Sequence, residues 1–193
     1  MHRPPKVAII VPTLNRPHTL ARCLGSIRTQ TFGEWVCIVI NQGDDIDDLF
    51  GMQFVCVDMC RRSASLARNI GLSVARALNA EYVCLIDDDD MIEPTYMGEM
   101  AGALDANPDA VLVACNGTYE GKTYTHDHPS TKLVGSRMVR ASAIGDRTFT
   151  ARSGQEKHFW RLFDGERQTQ INKVLYRANR DPIGGLRDEG GSY

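Results

Sequence analysis

The apolar residues of this chain are grouped in short continuous runs. Residues 6–12 and 35–40 are two such runs, and both are rich in β-branched side chains. A run of this kind is typical of a strand that is buried on both faces of a parallel sheet. Similar runs predict further strands at 52–58, 82–86 and 110–115.

Three segments between these runs have helical spacing instead. Pro17 suits the first turn of a helix, with Asn15 or Arg16 as its cap, and apolar residues follow it at intervals of three and four. Similar spacing begins at Ser63 and after Pro94. Strands that alternate with helices predict βαβ units and an α/β fold with a mostly parallel sheet. The predicted buried face of the second helix comprises Ala67, Ile70, Gly71, Val74 and Leu78.

Beyond Gly117 the pattern changes. Residues 118–132 are polar and rich in turn formers, and they predict a hairpin or a loop. A helix is predicted from Gln155 to Phe163, and residues 171–177 alternate as a strand does. The chain shows no internal repeat, and its 193 residues suit one domain with a hydrophobic core.

Composition narrows the class of protein. The formal net charge of -2 gives no overall basic field, which argues against non-specific nucleic-acid binding. The six cysteines lie mostly in apolar runs and lack the spacing of a zinc site. No apolar stretch approaches the length of a membrane span. The apolar run within the first twelve residues is too short for a signal peptide. We expect a cytoplasmic protein with no membrane span.

Polar residues follow three of the predicted strands where each strand ends. In an open parallel sheet, ligands bind at the carboxyl ends of the strands. We therefore expect these side chains to converge on one edge of the sheet. They are Thr13, Asn15 and Arg16 after the first strand, Asn41, Gln42 and Asp44 after the second, and Asp87 to Asp90 after the fourth.

The four consecutive aspartates repel one another, and something must offset that repulsion. Mg²⁺ and Mn²⁺ prefer carboxylate oxygens, and they often take one or two of them together with water and substrate phosphate. Asp87 and Asp89, two residues apart at a strand end, can supply such ligands. From the residues alone, a solvated acidic turn is the alternative.

Three segments resemble the family-2 glycosyltransferases of the GT-A fold. They read "VAIIVPTLNRPHTLARCLGSIRTQTFGEW", "SASLARNIGLSVARALNAEYVCLIDDDDMIEP" and "SGQEKHFWRLF", and together they span about residues 6–163. The resemblance implies a GT-A fold with a Rossmann-like central sheet flanked by helices. It also implies one domain over residues 1–193, with a nucleotide-binding half at 6–116, an acceptor and catalytic half at 117–180, and a flexible tail at 181–193.

The activity that the resemblance implies is transfer of a hexose from a nucleotide diphosphate sugar to an acceptor hydroxyl. The acceptor is a glycan, a protein or another hydroxyl compound. Transfer usually inverts the sugar and uses Mg²⁺ or Mn²⁺.

The resemblance also implies roles for individual residues. Arg68 would approach the base or the phosphates with help from Asn69, and Asp88 would lie near the ribose. Asp89 would bind the metal, Asp87 would serve the metal or the ribose, and Asp90 would support the turn. The nucleoside pocket would be lined by Pro12, Thr13, Asn15 and Arg16.

Two positions depart from the family pattern. Where the family has an acidic residue that accepts a hydrogen bond from uracil, this chain has Gln42, whose amide can both donate and accept. Where the family has Glu-Asp at the start of a helix, this chain has Gln155-Glu156, so Glu156 would be the catalytic base. The alternative for Glu156 is an ordinary first-turn glutamate that the helix dipole favours.

Two other functions compete with sugar transfer. A nucleotidyltransferase also combines a nucleotide-binding fold with metal-binding aspartates, but it prefers a glycine-rich phosphate loop, which "PTLNRPHT" is not. A catalytically inactive module that binds sugar nucleotides is the other, and the glutamines at 42 and 155 are compatible with it.

Overall fold

A single mixed sheet forms the centre of the structure, which is a computed structural model describing residues 3–46, 53–125, 134–150 and 155–179. Its strands are β1 (Val7–Thr13), β2 (Trp35–Asn41), β3 (Phe54–Asp58), β4 (Tyr82–Leu85), β5 (Met91–Ile92), β6 (Leu112–Tyr119), β7 (Lys122–Tyr124), β8 (Arg137–Arg140) and β9 (Gln168–Ala178). The helices are α1 (Pro17–Arg28), α2 (Ala64–Ala77), α3 (Tyr96–Ala106), α4 (Ala141–Ile144) and α5 (Gln155–Arg161), with a 3-10 turn at Val134–Ser136.

The strand order is β3-β2-β1-β4-β8-β6-β9-β5, and β7 forms a hairpin with β6. β1 lies parallel to both β2 and β4, and β3 is parallel to β2. β8 is antiparallel to its two neighbours, whereas β6 and β9 form a long parallel pair. The longer ladders are thus all parallel, and the prediction of an α/β fold with a mostly parallel sheet is confirmed.

Helices cover both faces of the sheet, which explains the continuous apolar runs. Alternate residues of a strand point to opposite faces. Val7, Ile9 and Val11 of β1 pack in one core with α1 and α3, while Ala8 and Ile10 pack in a second core with α2 and α5. No residue of β1 faces water, so none needs to be polar until the strand ends at the site.

The predicted elements correspond to observed ones, although some bounds differ and the short helix α4 has no predicted counterpart. β5 and β8 were not predicted, because Met91–Ile92 is very short and "RMVR" holds only two apolar residues between arginines. The predicted strand at 110–115 begins later and continues to Tyr119, where it turns into the predicted hairpin. The predicted flexible tail, 181–193, lies outside the described residues.

The buried face of α2 differs from the predicted one. Leu72 and Ala75 are buried, whereas Ile70, Val74 and Leu78 are only partly covered. Close packing is the reason, since a Cβ added at position 71 would lie 2.3 Å from Cγ2 of Ile10. The helix therefore turns Gly71 to the sheet, while Ile70, Val74 and Leu78 pack against the second core and stay partly exposed.

An arginine at the end of β8 ties the far end of α3 to the sheet. Arg140 Nη2 donates to the carbonyl of Leu104 at 2.7 Å and to that of Asn107 at 3.4 Å, and Nε donates to the carbonyl of Ala110 at 2.8 Å. The guanidinium also lies over the ring of Tyr82, 5.4 Å from its centroid. Arg140 thus adds charge-assisted bonds to carbonyl groups at and after the end of the helix. Within the described ranges, no helix is long and apolar enough to cross a membrane.

We expect Arg140→Met to lower the free energy of unfolding by roughly 2–4 kcal/mol, because it removes charge-assisted bonds to buried carbonyls. Urea unfolding followed by circular dichroism measures the change. Arg167→Met is the matched control, since Arg167 pairs with Asp109 while their side chains are 72% and 78% exposed, and it should cost less than about 1 kcal/mol. Equal losses in the two variants would contradict this role for Arg140.

Candidate active site

The four aspartates form a turn directly after β4, beside the end of β1. Ile86 N–H donates to the carbonyl of Ile10 at 3.0 Å, which keeps β4 in register with β1 up to the turn. The turn is closed by Asp90 N–H, which donates to the carbonyl of Asp87 at 3.0 Å. Side chains that follow β1 can therefore reach the carboxylates, as the order of parallel strands predicts.

Asp88 is the most enclosed of the four carboxylates. The residue is 2% exposed. Thr13 Oγ1 donates to its Oδ2 at 2.7 Å, and Arg16 Nη1 donates to its Oδ1 at 2.5 Å. Burial raises the pKa of Asp88 to about 6, although Arg16 and Thr13 both act to lower it. Arg16 begins α1 without a capping bond from its side chain, so its guanidinium serves the site.

Asp87 is paired with a buried arginine from α2. Arg68 Nη2 donates to Asp87 Oδ1 at 2.7 Å. Arg68 is only 4% exposed, so it is not a solvated residue on the surface of α2. The Asp87 side chain is 33% exposed, which leaves it open to a ligand from solvent.

Asp89 and Asp90 have different surroundings. Asp89 Oδ2 lies 3.4 Å from Arg16 Nη1, and its side chain is 15% exposed. Asp90 is buried, and its carboxylate accepts bonds from the hydroxyl of Tyr176 and, at 2.7 Å, from the backbone N–H of Asn179. Burial raises the pKa of Asp90 well above its usual range. The side chain of Asn179 also donates to the carbonyl of Asp89 at 3.1 Å.

Sequence reasoning missed Tyr176 and Asn179. Both come from the end of β9, more than 80 residues after the turn that they hold. The predicted strand at 171–177 contains Tyr176, but the sequence holds no local signal for the strand beside which β9 lies. The predicted supporting role of Asp90 has this contact as its physical basis.

A cavity of about 290 Å³ opens next to the turn, and its size is close to that of small ligand pockets. Arg16 belongs both to the cavity wall and to the cluster around Asp88. Of the residues predicted to bind the nucleoside, Pro12 is buried inside β1 opposite Ile40 and is not part of this wall. The wall includes Thr13, Asn15, Arg16, Leu20, Asn41 and Asp44.

The connection after β2 forms hydrogen bonds to two other segments of the chain. Asn15 Oδ1 accepts a bond from Asp44 N–H at 2.8 Å, which joins the two loops that border the cavity. Gln42 is buried, and its Oε1 accepts a bond from Ser63 N–H at 2.7 Å. Its Nε2 is also buried and has no hydrogen-bond partner among the described residues. Within the described residues, the amide oxygen of Gln42 thus accepts a hydrogen bond, whereas its amide nitrogen donates none.

Glu156 lies in the first turn of α5. The helix is fixed by Phe159 and Trp160, which are buried in the second core with Phe163. The side chains of Gln155 and Glu156 lie outside the described part of the structure. The predicted role of Glu156 therefore stays a prediction.

The described residues contain no group of three side chains that could hold a metal ion by themselves. Mg²⁺ and Mn²⁺ sites that include substrate phosphate need only one or two protein carboxylates. Asp89 and Asp87 meet that need, because both reach solvent while Asp88 and Asp90 are engaged elsewhere. The donor set fits such a cation together with a phosphate ligand.

Comparison with known proteins gives a consistent result. The family model described as glycosyl transferase family 2 matches residues 8–163. The putative glycosyltransferase EpsH of Bacillus subtilis is 30% identical over 66% of this chain and 39% of its own length. The uncharacterized glycosyltransferase YibD of Escherichia coli is 31% identical over 58% of this chain and 33% of its own length. The chain thus matches well under half of each of these two relatives.

Solved structures share the fold. TarS from S. aureus in complex with UDP-GlcNAc superposes with a TM-score of 0.78 at 16% identity, over 96% of this chain and 61% of that one. The mannosyltransferase PcManGT from Pyrobaculum calidifontis, in complex with GDP-Man and Mn²⁺, gives 0.70 at 17% identity, over 93% and 58%. At these identities the likeness is one of fold, and it confirms the expected GT-A architecture.

The raised pKa of Asp88 predicts a specific pH dependence of stability without metal. The folded state binds this proton more tightly than the unfolded chain does, because the pKa rises from 3.8 to about 6. The contribution of Asp88 is therefore fully present below about pH 4, and it is lost as the pH rises through about 6. Asp88→Asn does not titrate, so the parent should lose about 3 kcal/mol relative to this variant across that window.

Urea unfolding of both proteins at several pH values measures this difference. Asp109→Asn is the matched control, since it makes the same change at an exposed side chain. A difference between the parent and Asp88→Asn that does not change with pH would contradict the assignment.

Proposed function

Because the chain belongs to glycosyl transferase family 2, we propose that it transfers a sugar from a nucleotide diphosphate sugar to an acceptor hydroxyl, with inversion and with a divalent cation. The observation that carries the proposal is the aspartate turn beside the cavity, where two carboxylates reach solvent between two arginines. This arrangement suits an anionic ligand that brings a cation with it.

In this proposal the cavity holds the nucleoside. Thr13, Asn15 and Arg16 form part of its wall, and Asp88, which bonds to Thr13 and Arg16, lies near the ribose. Pro12 lies inside β1 and affects the cavity only through the conformation of that strand. Arg68 faces the phosphates, because it is already paired with Asp87 at the open side of the turn.

Gln42 reads the base by donating a hydrogen bond. Its Oε1 accepts a bond from Ser63 N–H, and its Nε2 is a buried donor with no partner in the part of the chain that the structure describes. A buried donor is costly when unpaired, so a ligand acceptor that reaches it would gain affinity. The family's acidic residue accepts from the base instead, so Gln42 favours a carbonyl or ring nitrogen of the base over the N–H group of uracil.

The cation is proposed to be Mn²⁺ or Mg²⁺ on Asp89, with Asp87 as a second ligand. When bound, it would neutralise charge on the diphosphate as that group leaves. Arg16 lies 3.4 Å from Asp89, and it holds the carboxylate near the cavity in the absence of the cation.

Glu156 is proposed as the general base. The acceptor hydroxyl attacks the anomeric carbon, the bond from that carbon to the diphosphate oxygen breaks, and Glu156 takes the hydroxyl proton. No covalent intermediate with the protein is needed. The position of Glu156 in the first turn of a helix anchored by buried aromatic residues supports a fixed base.

The cellular location and the acceptor are part of the proposal too. A cytoplasmic location is supported by six cysteines that are all unpaired, since disulfides form in oxidising compartments. The acceptor is an unidentified glycan, protein or other hydroxyl compound. Release of a nucleoside diphosphate distinguishes sugar transfer from nucleotidyl transfer, which releases pyrophosphate, and from an inactive binding module, which releases neither.

The metal assignment predicts that Asp89→Asn abolishes Mn²⁺-dependent binding of nucleoside diphosphates while the fold is retained. The change keeps the shape of the side chain and removes the charge that attracts the cation. Calorimetric titration with UDP, GDP and CDP, each with and without Mn²⁺, measures it, and Asp109→Asn is the control. If Asp89→Asn binds nucleotide and Mn²⁺ as the parent does, Asp89 is not the ligand.

The base assignment predicts that Glu156→Gln lowers turnover roughly a hundred- to ten-thousand-fold, which is the usual contribution of general-base catalysis. Donor affinity should barely change, because the lost interaction is made in the transition state. Nucleoside diphosphate release from a panel of sugar nucleotides and acceptors measures turnover. Glu166→Gln, which alters only a surface pair with Arg147, is the control. Normal turnover of Glu156→Gln would assign the base elsewhere.

A further inference from the structure

Asn69, next to Arg68 on α2, makes an unusual pair of contacts. Its Nδ2 donates to the carbonyl of Phe149 at 2.9 Å, and its Oδ1 accepts a bond from the N–H of Phe149 at 2.8 Å. One side chain thus pairs with both backbone groups of a residue 80 positions later. Ser65, one helical turn earlier, adds a bond from its Oγ to the carbonyl of Thr150 at 3.2 Å.

The ring of Phe149 extends this contact in two directions. It stacks on Phe159 of α5, with the ring centroids 4.0 Å apart and the planes 15° from parallel. The Phe149 ring also contacts α2, because the guanidinium of Arg68 lies 5.7 Å from its centroid. Phe149 and Phe159 are 3% and 1% exposed, so neither ring can shift without repacking the core.

These contacts form a continuous connection from the aspartate turn to helix α5. Asp87 bonds to Arg68, Arg68 lies over Phe149, and Phe149 stacks on Phe159. Phe159 follows Glu156 by three residues on the same helix, which is almost one helical turn. Asn69 holds the middle of this connection by the backbone.

We infer that Asn69 is a positioning residue that fixes α5 relative to the aspartate turn through the backbone of Phe149. The inference rests on the proposed function, in which α5 carries the base and Asp87 faces the cation and diphosphate. It changes the role that the family resemblance implies for Asn69, because both polar atoms of its amide are used by Phe149 rather than turned to a ligand.

A coupling between the donor side and α5 follows. A ligand that binds at Asp87 restrains Arg68, and the packed rings transmit that restraint to α5. Binding of nucleotide and cation should therefore make α5 open less often, and the effect should depend on Asn69. A purely structural role for Asn69 would lower overall stability without this dependence.

Amide hydrogen exchange measures both effects. Asn69→Asp keeps the acceptor for Phe149 N–H but places a carboxylate oxygen against the Phe149 carbonyl, and Asn69→Ala removes both bonds without adding charge. Asn172→Asp, at an exposed position of β9, is the matched control. Without ligand, amides of α5 should exchange roughly tenfold faster in the two Asn69 variants, while those of β1 keep the parent rate.

With Mn²⁺ and UDP, GDP or CDP, exchange in α5 should slow in the parent and in Asn172→Asp, but not in the Asn69 variants. Protection of residues 82–92 should persist in all four proteins. In turnover assays, the Asn69 variants should lose kcat while the KM for the donor is kept. Unchanged α5 exchange in both Asn69 variants, or acceleration of every segment together, would overturn the inference.

The same measurements test the proposed function and the role of Asn69 separately. If none of the nucleotides protects residues 82–92 in the parent, the proposed function fails, and the comparison without ligand still decides whether Asn69 positions α5. If residues 82–92 are protected but α5 never is, nucleotide binding stands and the coupling through Asn69 is wrong.

Discussion

The repulsion among four consecutive aspartates is the constraint on which the rest of the site depends. Three of the carboxylates are stabilised by different parts of the fold: Asp88 by Arg16 after β1, Asp87 by Arg68 on α2, and Asp90 by the end of β9. Asp89 is shared between Arg16 and solvent. Because these partners come from distant segments, the turn can form only when the whole sheet is assembled.

Burial of two carboxylates in the aspartate turn lowers the stability of the folded protein. Burial raises the pKa of Asp88 and Asp90, which means that the folded protein holds their ionised forms at a cost. The two enclosed carboxylates fix the shape of the turn, and the two more open ones can be reached by a ligand. Proteins commonly accept such local costs at functional sites.

Much of the fold follows from local patterns in the sequence. The continuous apolar runs of β1 and β2 indicate strands covered on both faces, and the abrupt change from Leu85 and Ile86 to aspartate marks the edge where ligands bind. The three long helices follow from their spacing and from Pro17, Ser63 and Pro94. These signals lie within single elements, so a reading of the sequence can find them.

The pairings between distant elements did not follow from the sequence. β8 inserts between β4 and β6 with only two apolar residues, and its place is set by its neighbours. Arg68 carries the same sequence signal whether it is solvated or buried against Asp87. The amide of Asn69 gives no indication that Phe149 is its partner, because that contact depends on how α2 lies across the sheet.

The central claim is that the turn holds its charge ready for a divalent cation that arrives with a diphosphate. A crystal structure of the protein with Mn²⁺ and a nucleoside diphosphate, with anomalous diffraction to locate the manganese, tests it directly. We expect a manganese peak at bonding distance from a carboxylate oxygen of Asp89, with diphosphate oxygens also bound to the metal. A bound diphosphate with no manganese at the turn, and with Asp89 still facing Arg16, would contradict it.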